Sequence, residues 1–359
     1  MHITDQASNS RCLTEGAEAF SSAASIVTPR FMPLPWSVRY DAAVTVGFPP
    51  CTGDDLRAVR NDTLVQASAD ALWRELGIGT DDVVLFEAGS LPVFAAGREH
   101  VLKLYPPRYA EEAEQEQSVL EQIYGALPVA TPAVVADGDV DGWSYLVMNR
   151  IPGTPLDRVW PSLSPQDQVG LAAQAGRLLA ALHAIDTRDL SVPRPNWPDF
   201  VSEQANRCVE KQRGLGTPSW CLDQIPQFLE TAALTLDAPP VFLHTEIMRA
   251  HILAEPGPLG WSITGLIDFE PAMIGAAEYE FAAVGLFVTC GNARALHALL
   301  RAYGWPDSDL GLPLQRRFLA YALLHRYSNM RRYLQNRPPP EGTTTLDGLA
   351  SWWWALPLR

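Results

Sequence analysis

The stretch from residue 241 to residue 280 constrains the fold more than any other part of the chain. A Val-Phe-Leu run opens it, and an Ile-Thr-Gly-Leu-Ile run leads up to Asp268. Apolar and β-branched runs of this kind are typical of buried strands. The Pro-Gly-Pro-Leu-Gly segment at 256–260 lies between them and favours a hairpin turn. A chain that folds back at this turn brings Glu246, His251 and Asp268 together.

A cluster of two carboxylates and one imidazole suits phosphoryl transfer. In that chemistry the protein contributes mainly positioning and charge: one carboxylate orients the attacking hydroxyl, and further ligands hold the metal ion that neutralises the phosphates. Glu246 is the candidate for the first role, and Asp268 and His251 are the candidates for the second. One acidic hairpin therefore supplies both the carboxylate that orients the hydroxyl and the ligands of the metal.

These residues resemble the catalytic core of the aminoglycoside phosphotransferase family. The tripeptide His-Thr-Glu ending at Glu246 stands at the family's His-x-Asp motif, and Leu-Ile-Asp-Phe around Asp268 stands at its metal-binding Asp motif. Three positions depart from the family pattern. Its catalytic Asp is Glu246 here, its metal-ligating Asn is His251, and the Asp of its later Gly-Asp-Pro-x-x-Asp segment is Glu280.

The resemblance extends over residues 83–333 and implies an α+β, two-lobed protein-kinase-like fold, with a small antiparallel-sheet N-lobe and a mainly helical C-lobe. With 359 residues, 47% of them apolar, the chain is long enough for one large or two ordinary domains. We expect a partly disordered N-terminal extension over residues 1–60. An N-lobe with the nucleotide-binding sheet and helix is expected over 61–150, and a C-lobe with the catalytic hairpin and acceptor-binding helices over 151–359.

Lys103 is the main candidate for contact with phosphate. It alternates with Val101 and Tyr105, so a strand directs it to the same face as two apolar groups, where a lysine needs an anionic partner. Glu116 lies within the apolar stripe of the helix predicted at 109–124. The resemblance implies that Lys103 holds the α- and β-phosphates and that Glu116 pairs with it. The alternatives are a lysine on a solvated edge strand and a glutamate on a solvated acidic helix.

A glycine-containing bend precedes this strand. We predict one strand-like run over 83–94 and a second over 100–105, and Gly89 and Ser90 lie at a bend within the first. Such a bend exposes backbone N–H groups that bind phosphate. An ordinary hairpin turn has the same composition, and the G-x-G-x-x-G pattern is absent.

A second strand pair is predicted at 133–139 and 143–151, ending in Pro-Gly. Its second strand resembles the family's lobe-joining linker. The resemblance implies that Met148 abuts the adenine ring and that the Asn149 carbonyl and the Ile151 amide hydrogen-bond to it. Any buried strand followed by Pro-Gly has a similar sequence, and only the order of this segment after Lys103 and Glu116 favours the linker.

Helical patterns dominate the rest of the chain. Ser164 followed by Pro is typical of a helix start, and this helix ends at His183, which we interpret as a packed or capping histidine rather than a catalytic one. Residues 190–240 are expected to supply part of the acceptor pocket. Further helices are predicted at 281–290, 293–303 and 314–333, and the last carries the basic cluster Arg326, Arg331 and Arg332. The Trp-Trp-Trp tail either packs on the body or borders a sugar-binding pocket.

Charge and composition restrict the partners. With 27 basic and 41 acidic residues, the formal net charge is −14, which argues against a nucleic-acid or anionic-membrane partner and favours a cationic substrate. The five cysteines form no C-x-x-C pair and indicate reduced thiols. The chain has neither a signal-peptide pattern nor an apolar run of about 18 residues, so we expect a cytoplasmic protein. The sequence leaves the oligomeric state open.

The departures from the family bear on mechanism. Glu246 has one methylene more than aspartate, which displaces its carboxylate by up to about 1.5 Å, and misplacements of about 1 Å cost on the order of 100-fold in rate. Imidazole suits Mn²⁺ or Zn²⁺ better than Mg²⁺, so His251 favours a softer ion. Alternatively, His251 hydrogen-bonds Glu246 and binds no metal.

The resulting hypothesis is an ATP-dependent phosphotransferase that uses Mg²⁺, or Mn²⁺. Glu246 accepts the proton of the acceptor hydroxyl, and Asp268, assisted by His251, holds the metal. The resemblance favours an aminoglycoside-like cationic acceptor and a role in antibiotic resistance, and Glu270 and Glu278 would add acidic groups to its cleft. Two alternatives stay open: a nucleotide-binding pseudokinase that transfers nothing, and a kinase of another small alcohol such as a choline-like or sugar-derived metabolite.

Overall fold

The computed structural model describes residues 38–39, 47–51, 56–79, 82–234, 238–258 and 260–357. These residues lie in the compact unit formed by residues 34–359. Most of the predicted N-terminal extension lies outside the described residues, and the predicted division at residues 60 and 150 stays a prediction.

The N-terminal region is built on a mainly antiparallel sheet. Over the described residues it has six strands in the order β1-β5-β6-β4-β3-β2, with β1 parallel to β5 and the other neighbours antiparallel. The strands are β1 (Val38–Arg39), β2 (Val83–Leu85), β3 (Val93–Ala96), β4 (His100–Tyr105), β5 (Val134–Val140) and β6 (Trp143–Asn149). The helices of this region are α1 (Leu56–Arg60), α2 (Thr63–Leu76) and α3 (Ala110–Ile123).

One sequence prediction in this sheet was wrong. The run 83–94 was expected to form a single strand, but it forms β2 and β3, which pair antiparallel with Leu85 opposite Phe94. The chain reverses between them at a bend that contains Gly89, whose φ of +117° favours glycine. Gly89 and Ser90 therefore lie at the tip of a β2–β3 hairpin.

Strand β4 places Lys103 between the sheet and helix α3. Leu102 and Leu104 pack with Trp73 in a core on one face of the sheet. Tyr105 packs in the main core on the opposite face, together with residues of α3. Because side chains alternate along a strand, Lys103 lies on the α3 face, where only 5% of it is exposed. The predicted alternation is thus confirmed.

The C-terminal region is mainly helical and also contains the hairpin that the sequence predicted. Its strands are β7 (Thr154–Pro155), β8 (Val241–Leu243), β9 (Ile252–Gly257), β10 (Gly260–Leu266) and β11 (Met273–Gly275). Its helices are α4 (Leu156–Val159), α5 (Pro165–His183), α6 (Trp197–Gly214), α7 (Ser219–Leu222), α8 (Ile225–Thr231), α9 (Ala277–Ala283), α10 (Ala293–Tyr303), α11 (Leu312–Leu324), α12 (Met330–Asn336) and α13 (Leu346–Trp353). A π-helix at Val284–Thr289 continues α9.

The β9–β10 hairpin turns where the Pro-Gly-rich segment indicated. Gly257 pairs with Gly260, and the ladder continues to Leu266 opposite Ile252. Strand β7 extends this sheet along β9, while β8 pairs with β11. The residues that follow β8, those that precede β9 and those that follow β10 therefore meet at one end of the hairpin.

The single helix predicted over 314–333 was wrong, because the structure has two helices, α11 and α12, separated at residues 325–329. Tertiary hydrogen bonds replace the helical ones in this break. Lys211 Nζ donates to the carbonyls of His325 and Arg326, 3.2 and 2.6 Å away, and the Arg326 amide donates to the Tyr279 hydroxyl at 3.1 Å. The break carries Arg326 out of any helix.

The C-terminal tryptophans pack on the body of the protein. Trp353 and Trp354 are fully buried, and Trp354 Nε1 donates to the Phe281 carbonyl at 2.8 Å. The first of the two interpretations of this tail is therefore confirmed. None of the described helices combines the length and the apolar composition needed to cross a lipid bilayer.

Candidate active site

Three ligand-type side chains converge at the end of the β9–β10 hairpin. Glu246 follows β8, His251 immediately precedes β9, and Asp268 follows β10. One ligand atom from each lies within 4.8 Å of the others. The convergence that the sequence predicted is confirmed, although the roles of these residues stay predictions.

The hydrogen bond of His251 Nδ1 fixes the tautomer of the ring and therefore the state of Nε2. Nδ1 lies 2.9 Å from the backbone carbonyl of Glu246, and because a carbonyl only accepts, Nδ1 is the donor. In the neutral ring, Nε2 then carries a lone pair, yet it lies 3.2 Å from Asp268 Oδ2. Two acceptors at this distance repel each other unless a proton or a cation lies between them. This donor set fits a divalent metal ion.

Lys103 connects the sheet to this cluster. Its Nζ donates to Glu116 Oε2 at 2.6 Å and to Asp268 Oδ1 at 2.7 Å, and Glu270 Oε2 lies 3.9 Å away. Burial alone lowers the pKa of a lysine, but the carboxylates of Asp268 and Glu116 raise the pKa of Lys103 well above its usual value. The ammonium group is therefore charged, and the predicted pairing with Glu116 is confirmed.

Glu116 ties three elements together. Besides Lys103 on β4, its Oε2 accepts a hydrogen bond from the Tyr105 hydroxyl, and its Oε1 accepts one from the Phe269 amide at 3.1 Å. Only 1% of Glu116 is exposed. Since each carboxylate oxygen has a donor, Glu116 holds the strand, helix α3 and the residue after Asp268 in a fixed arrangement.

Electrostatic surroundings set the proton affinity of the acids. Burial raises the pKa of Glu246, the neighbouring His251 opposes this effect, and the negative charge of Asp268 reinforces it. For Asp268 the effect of burial is outweighed by Lys103 and His251, which lower its pKa. Burial raises the pKa of Glu270 to about 7. Asp268 is the permanent anion of this group, whereas Glu246 binds protons more readily than an exposed glutamate.

Glu280 fixes the loop that carries Glu246. It is fully buried, and its Oε2 accepts a hydrogen bond from the His244 amide at 2.7 Å. His244 Nε2 donates to the Ile267 carbonyl at 2.9 Å, and its Nδ1 accepts from the Glu246 amide at 3.3 Å. Burial lowers the pKa of His244, which agrees with this neutral tautomer. The His244 imidazole thereby links the loop after β8 to the segment after β10.

His183 packs beside this network, as the sequence analysis favoured. Its Nδ1 lies 2.8 Å from the Tyr303 hydroxyl, and its Nε2 lies 3.7 Å from Glu280 Oε2. The ring also meets Phe281 edge-on, with ring centroids 6.4 Å apart. These contacts place it in the core of the C-terminal region.

Two backbone positions in the site are strained. Thr245 has a φ of +69° and Asp268 a φ of +72°, a region that costs L-residues energy and that β-branched residues rarely adopt. Thr245 is held there by a hydrogen bond from its hydroxyl to the Pro271 carbonyl at 3.1 Å and one from His325 Nε2 to its own carbonyl at 3.2 Å. Strain concentrated beside Glu246 and at Asp268 is typical of a functional site.

A cavity of about 230 Å³ adjoins Glu246. The loop after β8, the π-helix and the break between α11 and α12 form its walls, with Leu286 and Phe287 on one side and Tyr327 and Arg332 on another. Glu246 therefore belongs both to the lining of this cavity and to the cluster with Asp268. Such an arrangement suits an acceptor that enters through the cavity.

Comparison with known proteins identifies the family. Over residues 79–319, more than half of the chain, the sequence matches the phosphotransferase enzyme family. The chain belongs to the phosphotransferase enzyme family. By family it is a small-molecule O-phosphotransferase. No match was found among curated protein sequences.

Solved structures of phosphotransferases have the same fold as this family member. The GDP complex of wild-type aminoglycoside 2'-phosphotransferase-IIIa is 17% identical, with a TM-score of 0.63, covering 82% of this chain and 99% of that chain. An aminoglycoside-3'-phosphotransferase of type VIII is 23% identical, with a TM-score of 0.53 and coverages of 71% and 97%. At these identities the likeness concerns the fold, and it confirms the α+β, two-lobed kinase-like architecture.

A macrolide phosphotransferase is also similar to this member of the phosphotransferase family. Macrolide 2'-phosphotransferase MphH from Brachybacterium faecium is 19% identical, with a TM-score of 0.50, covering 76% of this chain and 99% of that chain. The same fold thus occurs in proteins named for aminoglycosides and in one named for macrolides.

The structure places the remaining predicted nucleotide contacts on the sheet. Met148 lies on β6 with 5% of its surface exposed, and Ile151 follows with 7% exposed. The Asn149 side chain accepts a hydrogen bond from the Ala133 amide at 2.5 Å, which fixes the end of β6. Contact of these residues with an adenine ring stays a prediction.

Some residues that shape the site were missed by the sequence analysis. Tyr105 was treated only as an apolar neighbour of Lys103, and His325 and the π-helix were not noticed. Arg326 was placed on a helix, whereas it lies in the break, and its guanidinium donates to the Pro271 carbonyl at 2.7 Å. No local pattern marks such residues, because their partners are distant in sequence.

Proposed function

We propose that this chain transfers the γ-phosphoryl group of ATP to a hydroxyl group of a small molecule. The observation that carries the proposal is the contact between Lys103 and Asp268, at 2.7 Å, with Glu246 in the same cluster as Asp268. A cation for phosphates, a permanent anion for a metal and a carboxylate beside a cavity are the parts that phosphoryl transfer requires.

Each side chain has one task in this reaction. Glu246 orients the acceptor hydroxyl and takes its proton as the oxygen forms a bond to the γ-phosphorus. The bond from that phosphorus to the β–γ bridging oxygen breaks, and ADP leaves with those electrons. A base is most effective when its pKa lies near the working pH, and burial raises the pKa of Glu246 in that direction. Lys103, held by Glu116, binds the α- and β-phosphates.

Asp268 and His251 are the residues that would hold a divalent metal ion, with Glu246 beside them. Such an ion, when bound, neutralises phosphate charge. Mg²⁺ prefers oxygen ligands, whereas Mn²⁺ accepts imidazole more readily. We therefore propose that both ions support the reaction. The protein's own contribution is to hold the carboxylate and the imidazole in place through the hairpin.

ADP release tests the proposal. Purified protein is assayed with ATP, Mg²⁺ or Mn²⁺, and a panel of acceptors that includes aminoglycosides, macrolides, choline-like alcohols and sugars. We expect Asp268→Ala to lower acceptor-dependent ADP release at least 100-fold, because the metal and Lys103 lose their shared anion. Asp199→Ala, which changes an exposed carboxylate on α6, is the matched control and should have no effect.

Two results would contradict the proposal. Turnover that persists in Asp268→Ala would refute the metal assignment. If ATP raised the melting temperature without any ADP release across the panel, the chain would be a nucleotide-binding pseudokinase instead. The same panel decides whether the acceptor is an antibiotic or a metabolite.

A further inference from the structure

We propose that the acceptor is a mainly apolar alcohol without amino groups near the reacting hydroxyl, rather than a polyamine. The inference rests on the proposed function, because it assigns the cavity beside Glu246 to the acceptor. It departs from the cationic acceptor that net charge and family resemblance favoured, and it follows from the lining of the cavity.

Part of the lining is apolar, and it lies in the same cavity as Glu246. Met248 contributes a thioether from the loop after β8, and Leu286 and Phe287 contribute side chains from the π-helix. The π-helix is held against that loop, because the Phe287 carbonyl accepts a hydrogen bond from the Arg249 amide at 3.4 Å and the Val288 carbonyl accepts one from Arg249 Nε at 2.7 Å. Apolar side chains in the same cavity as the reacting carboxylate stabilise the hydrocarbon part of an acceptor through burial from water.

The charges around the cavity do not favour a polyamine. Among the described residues that line it, Glu246 is the sole carboxylate, and Arg332 supplies a positive charge. Arg326 lies in the break between α11 and α12 and lowers the pKa of Glu246 by its charge. It is thus a second positive charge near Glu246. Several ammonium groups entering this space would lose water and meet one carboxylate that the reaction itself uses, and unpaired buried charges are costly.

The acidic residues expected to attract a cation are engaged elsewhere. Glu278 accepts hydrogen bonds from Arg317, with Nε at 2.8 and 3.0 Å and NH2 at 2.9 Å from its oxygens. Glu270 lies 3.9 Å from Lys103 Nζ, on the phosphate side of the site. Neither carboxylate is among the residues that line the cavity.

The size of the cavity limits the part of the acceptor that it encloses. Sites for drug-sized ligands have volumes of roughly 300–1,000 Å³, whereas this cavity has about 230 Å³. It therefore accommodates a small alcohol or the apolar end of a larger one that carries the hydroxyl.

Charge reversal at Arg332 tests the inference. Acceptor-dependent ADP release is measured for kanamycin and gentamicin and for uncharged alcohols such as cyclohexanemethanol, 2-phenylethanol and menthol, with calorimetric binding of each in the presence of ADP and Mg²⁺. We expect the best apolar alcohol to exceed kanamycin at least tenfold in kcat/KM and in affinity. Arg332→Glu should reduce this ratio at least fivefold, because it changes the cavity from balanced to acidic.

Arg331→Glu is the matched control, because Arg331 is also exposed and precedes Arg332 on α12 but does not line the cavity. We expect it to leave the ratio within twofold of the original protein. Preference for kanamycin or gentamicin, equal effects of the two substitutions, or no binding of any apolar alcohol would each overturn the inference.

A failure of the acceptor inference can be distinguished from a failure of the proposed function. Nucleotide binding, measured by calorimetry with ATP in the original protein and in Asp268→Ala, reports on the Lys103–Asp268 site without any acceptor. If that binding is intact and depends on Asp268 while polyamines are preferred, only the acceptor inference fails. If nucleotide binding does not occur, the proposed function fails as well.

Discussion

At the scale of single residues, His251 gives this site its distinct chemistry. Its Nδ1 is committed to the Glu246 carbonyl, so its Nε2 faces the Asp268 carboxylate at 3.2 Å. A backbone hydrogen bond that fixes the tautomer of a histidine is a common feature of metal-binding imidazoles. This backbone contact holds Nε2 toward Asp268, which is the orientation that the proposed metal-binding role requires.

Replacing His251 should change which metal the protein prefers. In His251→Asn we expect the affinity for Mn²⁺ to fall by about tenfold or more and that for Mg²⁺ to fall less, because an amide oxygen is a harder ligand than imidazole. Mn²⁺ binding followed by electron paramagnetic resonance, and competition by Mg²⁺, measure both. His297→Asn, at a half-exposed histidine paired with Asp307, serves as control. Equal weakening of both ions would contradict the assignment.

His325 should make stability depend on pH. Burial lowers its pKa to about 3, from 6.5 in the unfolded chain. The folded state therefore binds fewer protons than the unfolded state between these values, and stability is full above about pH 6.5 and lost as the pH falls toward 3. The expected slope is about 1.4 kcal/mol per pH unit. Urea unfolding at pH 7.5, 5.5 and 4.5 should show, between the two lower values, a slope smaller by about one proton equivalent in His325→Gln, and identical slopes would count against it.

At the scale of elements, helix α9 and the break between α11 and α12 hold the loop that carries Glu246. Glu280 on α9 accepts a hydrogen bond from the His244 amide. His325 in the break donates a hydrogen bond to the Thr245 carbonyl. Because both contacts are to backbone, they fix the path of the loop and allow a strained Thr245 at a φ of +69°. The position of Glu246 is therefore a property of packed elements and not of the loop alone.

Two glutamates on α9 allow a matched test of this role. Glu280→Ala leaves the buried His244 amide without its acceptor and creates a void, so we expect a loss of about 2–4 kcal/mol in the free energy of unfolding. Glu278→Ala breaks a partly exposed pair with Arg317 and should cost less than about 1 kcal/mol. Chemical denaturation measures both. A loss in Glu280→Ala no larger than that in Glu278→Ala would argue against the role of Glu280.

At the scale of the whole molecule, one lysine joins the N-terminal sheet to the segment after the β9–β10 hairpin. Lys103 lies on β4, Glu116 on α3 and Asp268 after β10, and the two ion pairs are 2.6 and 2.7 Å long. The isolated bridge between Ala130 and Gly265 adds a backbone connection between the same regions. Nucleotide phosphates that engage Lys103 would therefore act on the junction between the two regions.

Removing this lysine should destabilise the protein without nucleotide. In Lys103→Met we expect a loss of about 3–5 kcal/mol in the free energy of unfolding, because buried Glu116 keeps its charge without a positive counter-charge. The double variant Lys103→Met/Glu116→Gln should recover part of this loss, since glutamine removes the unpaired charge and keeps an acceptor for the Phe269 amide. Urea unfolding of both compares them. A double variant no more stable than the single one would show that charge is not the cause.

The local elements and the order of the motifs follow from the amino-acid sequence alone. Strand alternation placed Lys103 on the face toward α3, the helical stripe placed Glu116 there, and the Pro-Gly segment set the hairpin. Each of these depends on neighbours a few residues apart, whose geometry is set by backbone periodicity and turn chemistry.

The features that depend on residues far apart in sequence are set by tertiary packing. The strand over 83–94 became a hairpin, and the helix over 314–333 broke where Lys211 and Tyr279 satisfy its backbone. Arg317 forms an ion pair with Glu278. The Glu246 carbonyl fixes the tautomer of His251. These outcomes come from hydrogen bonds and ion pairs between segments far apart in sequence, which packing brings together and which local sequence patterns do not encode.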